Sequence, residues 1–189
     1  SEGFEAVREA FAANFSHRKE LGAACCVYHH GEKVVDLWGG VRNKATGEPW
    51  EEGTMALVFS ATKGFAAMVM ALAHSRGLLD YEERVCTYWP EFAQNGKENV
   101  TVRQLLAHQA ALFAFNERVD KSVIADPDRL AAVLARETPE WEPGTRQAYH
   151  AITTGFIFNE LIKVTTGLDA QQYLDRYIRK PMGMRYFRY

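Results

Sequence analysis

The chain has 189 residues, of which 47% are hydrophobic and 24% are charged, and its formal net charge is -2 at pH 7. A chain of this length can bury a core as one domain, or as one domain with a smaller second unit, and the composition is that of an ordinary soluble globular protein. The lack of a basic excess argues against nucleic acid as a partner, and no stretch reaches the roughly 18 consecutive apolar residues of a membrane span.

The first third of the chain predicts a helix followed by a β-hairpin. A helix over about residues 4–18 is predicted by apolar residues at three- and four-residue spacing: Phe4, Val7, Phe11 and Phe15. Residues 22–30 and 33–38 predict two antiparallel strands joined by a turn at Gly31. The first strand lacks polar alternation, so both of its faces are expected to be covered. Residues 39–53 are polar and contain Gly, Pro and Asn, and they predict a loop.

A long helix is predicted next. A short apolar, strand-like run at residues 55–59 leads into a helical pattern from Ser60 to Arg76, which Gly77 ends. The core face of this helix is predicted to contain three long apolar side chains: Met68, Met70 and Leu72.

Start and stop signals predict more helices beyond residue 77. Thr101 with Gln104 forms a capping box, and Asp126 before Pro127 starts a helix that runs to residue 136. A helix over 152–166 is closed by Gly167. Asp169 opens the last helix, which Pro181 stops.

The number of predicted strands is low for a stable sheet. Two strands alone are marginal in water, and no second group of strands is convincing after residue 60. The hairpin therefore needs further strands, and the chain is expected to be incomplete as a stand-alone fold. We divide it into residues 1–59, the helix and hairpin of a sheet domain, and residues 60–189, the long helix and a mostly helical domain.

Ser60 and Lys63 are the first candidates for chemistry. Three residues apart on a helix, they share one face, and a serine at a helix start lies near free backbone N–H groups that favour a developing oxyanion. The lysine could activate the serine hydroxyl as a base. The alternative is that Ser60 only caps the helix and Lys63 is solvated. Ser16 and Lys19 have the same spacing, but at the polar end of the first helix, and we interpret that match as chance.

Four segments, in chain order, make the pattern more specific. They are residues 59–65 around Ser60, residues 76–80, residues 102–112 with His108, and residues 141–149 from Trp141 to Tyr149. Together they closely resemble the serine β-lactamase-like family, which holds class C β-lactamases, penicillin-binding proteins and family VIII carboxylesterases. The resemblance covers residues 4–184. It implies an α+β, β-lactamase/transpeptidase-like fold, with an antiparallel sheet flanked by helices and a helical domain, here lacking the C-terminal strands.

The resemblance also implies roles for individual residues. Ser60 would be the acylated nucleophile, and its backbone N–H would supply half of the oxyanion hole. Lys63 would be its partner, and Tyr149 would lie across the cleft as general base or proton relay. His150 is expected to line the cleft beside Tyr149 as a substrate contact. His108 is expected to tie down a loop through a hydrogen bond.

The chain departs from the family pattern at three places. Penicillin-handling members have Tyr-x-Asn as the second motif, whereas this chain has Tyr149, His150 and Ala151, a variation that resembles the esterase-like members. Ala111 stands where the family usually has glycine, so the loop is expected to be strained or rearranged if that position needs a positive φ. The family's third motif and second oxyanion donor lie on a C-terminal strand, and this chain ends at Tyr189 before any such strand.

These patterns predict a serine hydrolase that acts on small esters or amides by acyl transfer to Ser60 and then hydrolysis, without a metal or an organic cofactor. Two alternatives stay open: an inactive truncated relative that serves as a structural or assembly subunit, and an enzyme completed by a second polypeptide. In either case the hairpin edge is where self-association or a complementing chain is expected. The three cysteines, Cys25, Cys26 and Cys86, form no disulfide framework and favour a reducing, cytoplasmic compartment.

Overall fold

Two compact units make up the chain in the computed structural model, Ser1–Leu57 and Val58–Tyr189. The structure describes residues 1–185. Residues 186–189, on which the expectation about the end of the chain rests, lie outside the described residues.

The first unit consists of a helix and a small antiparallel sheet. Helix α1 spans Glu5–His17. The strands are β1 (Gly22–His29), β2 (Glu32–Asn43) and β3 (Glu48–Pro49), in the order β1-β2-β3. The structure confirms the predicted helix and hairpin.

The predicted loop over residues 39–53 is wrong in its first half. Strand β2 continues through Gly39 and Gly40 to Asn43, and β3 pairs with its end. Gly40 has a φ of +81° and lies opposite Gly22 in the strand pair. A Cβ at Gly40 would lie 2.2 Å from the Leu21 carbonyl oxygen, so the close approach of the two strands requires glycine there. Gly40, one of the glycines that predicted a loop, is therefore needed for β1 and β2 to pair.

The prediction that both faces of β1 are covered is also wrong for the described residues. Ala24, Cys26 and Tyr28 alternate along one face and are exposed, Tyr28 by 64%. Helix α1 packs against β2, where the Phe15 ring lies 3.6 Å from the Cβ position of Gly39. In the described part of the chain β1 pairs with β2 alone, so its other edge is open.

The second unit is helical. A 3₁₀ turn at Phe59–Thr62 precedes the first of its helices. The α-helices are α2 (Lys63–Ser75), α3 (Val85–Tyr88), α4 (Val102–Leu106), α5 (Lys121–Ile124), α6 (Pro127–Arg136), α7 (Thr153–Thr166) and α8 (Ala170–Leu174). A second 3₁₀ turn spans Pro90–Phe92, and a π-helical turn at Asp175–Arg179 extends α8. No helix of the described residues is both long and apolar enough to span a bilayer.

The predicted helix ends are confirmed where local chemistry sets them. Thr101 forms a capping box with Gln104, and the Asp126 carboxylate accepts from the first turn of α6. Gly167 ends α7 with a φ of +73°, and Asp169 forms a second capping box at α8. Helices α3 and α5 were not predicted, because four residues are too few to show a periodicity.

The predicted strand-like run before Ser60 is wrong. Residues 55–58 are irregular, and the 3₁₀ turn begins at Phe59. Leu57 and Phe59 are each 79% exposed, and no strand of the described residues pairs with this segment. The apolar residues here therefore have no sheet to join in the described chain.

Helices α2, α6 and α7 contribute much of the core of the second unit, and α7 packs against both α2 and α6. The core face of α2 is formed by Ala66, Val69, Met70 and Ala73. The prediction is therefore right for Met70 and wrong for Met68, which is 40% exposed. Leu72, the third residue predicted for this face, is partly buried against the core, so the observed face overlaps the predicted one and adds small residues to it.

Candidate active site

Ser60 and Lys63 lie where the 3₁₀ turn passes into α2. Phe59, directly before Ser60, has a φ of +45°, which turns the chain sharply at this point. The Lys63 ammonium donates to Ser60 Oγ at 3.3 Å and to the carbonyl oxygen of Ala151 at 2.8 Å. The N-cap residue of α2 is Thr62, so Ser60 does not cap this helix. Lys63 is held from two sides rather than left in solvent.

Tyr149 is the third side chain at this place. Its ring centre lies 4.9 Å from Lys63 Nζ, and the residue is 54% exposed. The Ser60 hydroxyl, followed by the Lys63 ammonium, holds the pKa of the Tyr149 phenol below its ordinary value of 10.0. Both groups can donate a hydrogen bond to the phenol oxygen and so favour the phenolate. The arrangement brings a hydroxyl, a cation and an acidified phenol together.

The Tyr149 segment is fastened to the loop at residues 107–112. Gln147 Nε2 donates to the Ala107 carbonyl at 2.8 Å, and the Gly144 N–H donates to the Gln109 carbonyl at 2.9 Å. Gly144 has a φ of +87°, and a Cβ at this position would lie 2.5 Å from Gln104 Nε2, so the turn after Trp141 favours glycine. These hydrogen bonds hold the segment that precedes Tyr149 against the loop.

The loop at 107–112 contains the strain that the sequence predicts. Ala111 has a φ of +57° and is completely buried. A left-handed conformation costs a residue with a Cβ about 1–2 kcal/mol. Ala111 thus adopts the conformation for which glycine is suited, and the bonds of the loop hold it there.

The structure places His150 away from the cleft. Its ring is completely buried, and Nε2 accepts from the Leu112 N–H at 2.9 Å. Burial lowers the pKa of this imidazole below 6.5. The expectation that the His150 side chain lines the cleft is therefore wrong: it turns into the interior, and the exposed residues that follow Tyr149 are Ala151 and Ile152.

His108 ties down a loop, as the sequence predicts. Its Nδ1 accepts from the His150 N–H at 3.1 Å and lies 3.4 Å from Thr154 Oγ1. Its ring centre is 5.0 Å from that of Tyr149. Burial, followed by the charge of Lys63, lowers the pKa of His108 below 6.5.

A cavity of about 890 Å³ adjoins Ser60 and Lys63. Its walls include apolar residues such as Phe59, Ala66 and Ile152 and polar residues such as Asn159 and Asp128. No group of three or more His, Cys, Asp or Glu side chains that could hold a metal ion lies together in the described residues.

Sequence reasoning missed the carbonyl of Ala151 as the second partner of Lys63. A backbone group leaves no trace in the residue type, so no sequence signal could have indicated it. The three side chains that the sequence singled out as catalytic, Ser60, Lys63 and Tyr149, lie together in the structure.

Comparison with known proteins gives consistent matches. A family model described as Beta-lactamase matches residues 8–189. The esterase/beta-lactamase LipL of Mycobacterium tuberculosis is 36% identical over 185 residues, which are 95% of this chain and 41% of LipL. The crystal structure of a family VIII carboxylesterase superposes with a TM-score of 0.91 at 43% identity, over 97% of this chain and 50% of the other. A penicillin-binding protein homologue from Caulobacter crescentus gives a TM-score of 0.92 at 38% identity, over 97% and 49%. The chain thus spans half or less of these relatives.

Proposed function

Because this chain belongs to the beta-lactamase family, whose fold it shares, we propose that it carries the nucleophile of a serine hydrolase that acts on small esters or amides. The observation that carries the proposal is the convergence of Lys63 and Tyr149 on the hydroxyl of Ser60. Each of these groups supplies a different part of an acyl transfer.

In the proposed reaction Ser60 Oγ attacks the carbonyl carbon of the substrate. The serine proton passes to the Tyr149 oxygen, whose pKa is lowered, and the ammonium of Lys63 stabilises the phenolate. The leaving alcohol or amine then takes that proton, and an acyl-Ser60 ester remains. A water molecule, deprotonated in the same way, hydrolyses the ester. The Ser60 N–H serves as one donor to the oxyanion.

The substrate is proposed to be an ester rather than a β-lactam. Position 151 carries a methyl group, where the resemblance places the Asn amide of penicillin-handling members. The part of Ala151 that takes part in the site is its carbonyl, which is engaged by Lys63. The relatives fit this choice, since LipL is described as an esterase/beta-lactamase and one solved neighbour as a carboxylesterase.

Full turnover is proposed to need strands beyond those that the structure describes. The open edge of β1 and the exposed face of this strand favour a further strand, supplied by a longer chain, a second copy or a complementing polypeptide. The resemblance places a second oxyanion donor and a third motif on such a strand. This chain spans 41% of LipL and 50% of the carboxylesterase.

The test is covalent labelling. The purified chain is incubated with a fluorophosphonate or a p-nitrophenyl ester, its intact mass is measured, and the adduct is located by peptide mapping. One adduct on Ser60 is the expected result. A chain that takes no label while folded would favour the alternative, an inactive relative that acts as a structural or assembly subunit.

A further inference from the structure

His108 makes contact on both sides of Tyr149. Its carbonyl accepts from the Ala148 N–H at 3.2 Å, and its ring Nδ1 accepts from the His150 N–H at 3.1 Å. These two donors belong to the residues directly before and after Tyr149. The imidazole also lies against the phenol ring, 5.0 Å between centres and tilted by 56°.

From these contacts we infer that His108 is the positioning residue of Tyr149: its carbonyl holds the Ala148 N–H, its neutral imidazole holds the His150 N–H, and its ring sets the direction in which the phenol points. The inference rests on the proposed function, in which Tyr149 is the base. His108 itself touches neither Ser60 nor the reacting atoms in this role, because it acts through Tyr149.

The geometry sets the protonation state of the imidazole. A backbone N–H can only donate, so Nδ1 must carry a lone pair and the ring proton must lie on Nε2. The Thr154 hydroxyl can donate to the same Nδ1 from helix α7. A proton on Nδ1 would convert the acceptor into a donor and break the bond to the His150 N–H.

The surroundings keep the imidazole neutral. Three titratable groups face it: the Lys63 ammonium from α2, and the Tyr149 phenol and the His150 ring from the segment that precedes α7. Partial burial, followed by the charge of Lys63, opposes a second positive charge here and lowers the pKa of His108. The His150 ring accepts from the Leu112 N–H through Nε2, which favours its neutral form as well. Two neutral imidazoles therefore lie beside the Tyr149 segment.

The backbone of His108 narrows the choice of variants. Its φ is +60°, a conformation that Asn and Gly adopt readily and most other residues do not. His108→Asn keeps this conformation and puts a carbonyl oxygen at the place of Nδ1. His108→Gly keeps the conformation and removes the acceptor. The two variants therefore have the same backbone conformation at residue 108 and differ in whether an acceptor for the His150 N–H is present.

The first measurement is the pKa of the Tyr149 phenol, by NMR of protein labelled with ¹³C at tyrosine Cζ and assigned with Tyr149→Phe. In the wild type and in H108N we expect a pKa below 10.0. In H108G we expect it to return towards 10.0, because the phenol leaves Ser60 and Lys63. An unchanged Tyr149 pKa in H108G would overturn the inference. This measurement does not depend on any reaction at Ser60.

The second measurement is the rate of fluorophosphonate labelling between pH 5 and pH 9. At pH 8 we expect H108G to be slower by about ten-fold or more, since a catalytic group is misplaced, and H108N to stay near the wild type. Where the pH is low enough to protonate His108, whose pKa lies below 6.5, we expect the wild type to lose rate more steeply than H108N, because protonation breaks the imidazole bond and an amide does not titrate.

The outcomes separate the two proposals. No labelling of Ser60 in the wild type, together with a lowered Tyr149 pKa that depends on residue 108, contradicts the proposed function and supports the positioning role. Labelling that H108G leaves unchanged contradicts the positioning role alone. If circular dichroism shows that H108G does not fold, the test rests on H108N. Either of two results in H108N would then overturn the inference: a Tyr149 pKa that is no longer lowered, or a labelling rate that falls at low pH as steeply as in the wild type.

Discussion

The ammonium nitrogen of Lys63 lies 3.3 Å from the hydroxyl oxygen of Ser60 and donates to it. Its other hydrogen bond, to the Ala151 carbonyl, fixes it across the site from the 3₁₀ turn. A cation that donates to the serine oxygen stabilises negative charge there but cannot accept the serine proton in the same state. This is why the proposed function gives the role of base to Tyr149, the pKa of whose phenol is lowered by Ser60 and by Lys63.

Ser60→Ala should abolish labelling by a fluorophosphonate, because no other serine combines a neighbouring ammonium with an acidified phenol in the described residues. Ser16→Ala is the matched control. Ser16 has the same spacing to a lysine, but its hydroxyl donates to the Ala13 carbonyl within α1. Labelling is measured by intact mass and both variants are checked by circular dichroism. An adduct that survives in S60A would show that the nucleophile lies elsewhere.

Tyr149→Phe should slow labelling by about 10²-fold or more, the usual contribution of a general base. Since the pKa of Tyr149 is lowered, more phenolate is present at a given pH than for an ordinary tyrosine. The wild-type rate should therefore rise with pH and level off above that lowered pKa, whereas the variant should lack this rise. Rates are measured from pH 6 to pH 10. Tyr28→Phe, at an exposed tyrosine of β1, is the control and should keep the wild-type profile.

Local signals in the sequence predicted the ends of several elements correctly. The capping boxes at Thr101 and Asp169 and the glycine after α7 act within a few residues, so the sequence contains all the groups involved. The S-x-x-K spacing and the order of the motifs likewise placed Ser60, Lys63 and Tyr149 together.

The predictions were wrong where contacts between residues far apart in the sequence determine the structure. Gly40 predicted a loop because the sequence does not show that Gly22 lies opposite it. Met68 was predicted to be buried on size, whereas packing against α7 selects the face with Ala66 and Ala73. His150 was predicted in the cleft because it follows Tyr149, but its ring meets the Leu112 N–H in the interior. Each of these needs a tertiary contact that residue type does not reveal.

A short-chain p-nitrophenyl ester should acylate Ser60 faster than a penicillin or a cephalosporin does. The reason is the methyl group of Ala151, which offers no hydrogen bond to the side chain of a β-lactam. Ala151 is exposed, so Ala151→Asn has room for the amide and should narrow the difference. Acyl-enzyme is quantified by intact mass at matched times. Acylation by a cephalosporin that equals acylation by the ester in the wild type would contradict the assignment.

Ala111→Gly should leave the protein more stable than Ala110→Gly by about 1–2 kcal/mol, which is the strain of a left-handed residue with a Cβ. The two alanines are adjacent and both fully buried, and only Ala111 has a positive φ. Each variant loses one buried methyl group and gains backbone freedom when unfolded, so these costs cancel in the comparison. The free energy of unfolding is measured in urea. Equal stabilities would show that the conformation of Ala111 carries no strain.

The open edge of β1 should make the 189-residue chain associate. A strand paired on one side only offers a row of free backbone groups, and the exposed Ala24, Cys26 and Tyr28 add an apolar face next to it. Cys26→Lys should reduce association, because a charge on an edge strand opposes pairing, and the new ammonium would face Asp36 across the strand pair. Cys26→Ser removes the thiol without adding a charge and is the control. Elution volume is measured at several concentrations in reducing buffer.

The same chain should be labelled at Ser60 yet turn over esters slowly. The resemblance assigns the second oxyanion donor to a strand that the described residues do not contain, and loss of one such donor slows acyl transfer by about 10²–10³-fold. Labelling needs only one attack on a reactive phosphorus centre, whereas turnover also needs deacylation, so the two assays should diverge. A C26K variant that elutes as a monomer should show the same slow turnover, since breaking the association adds no donor. A monomeric chain with ester turnover as fast as a full-length carboxylesterase relative would show that residues 1–189 already contain a complete oxyanion hole.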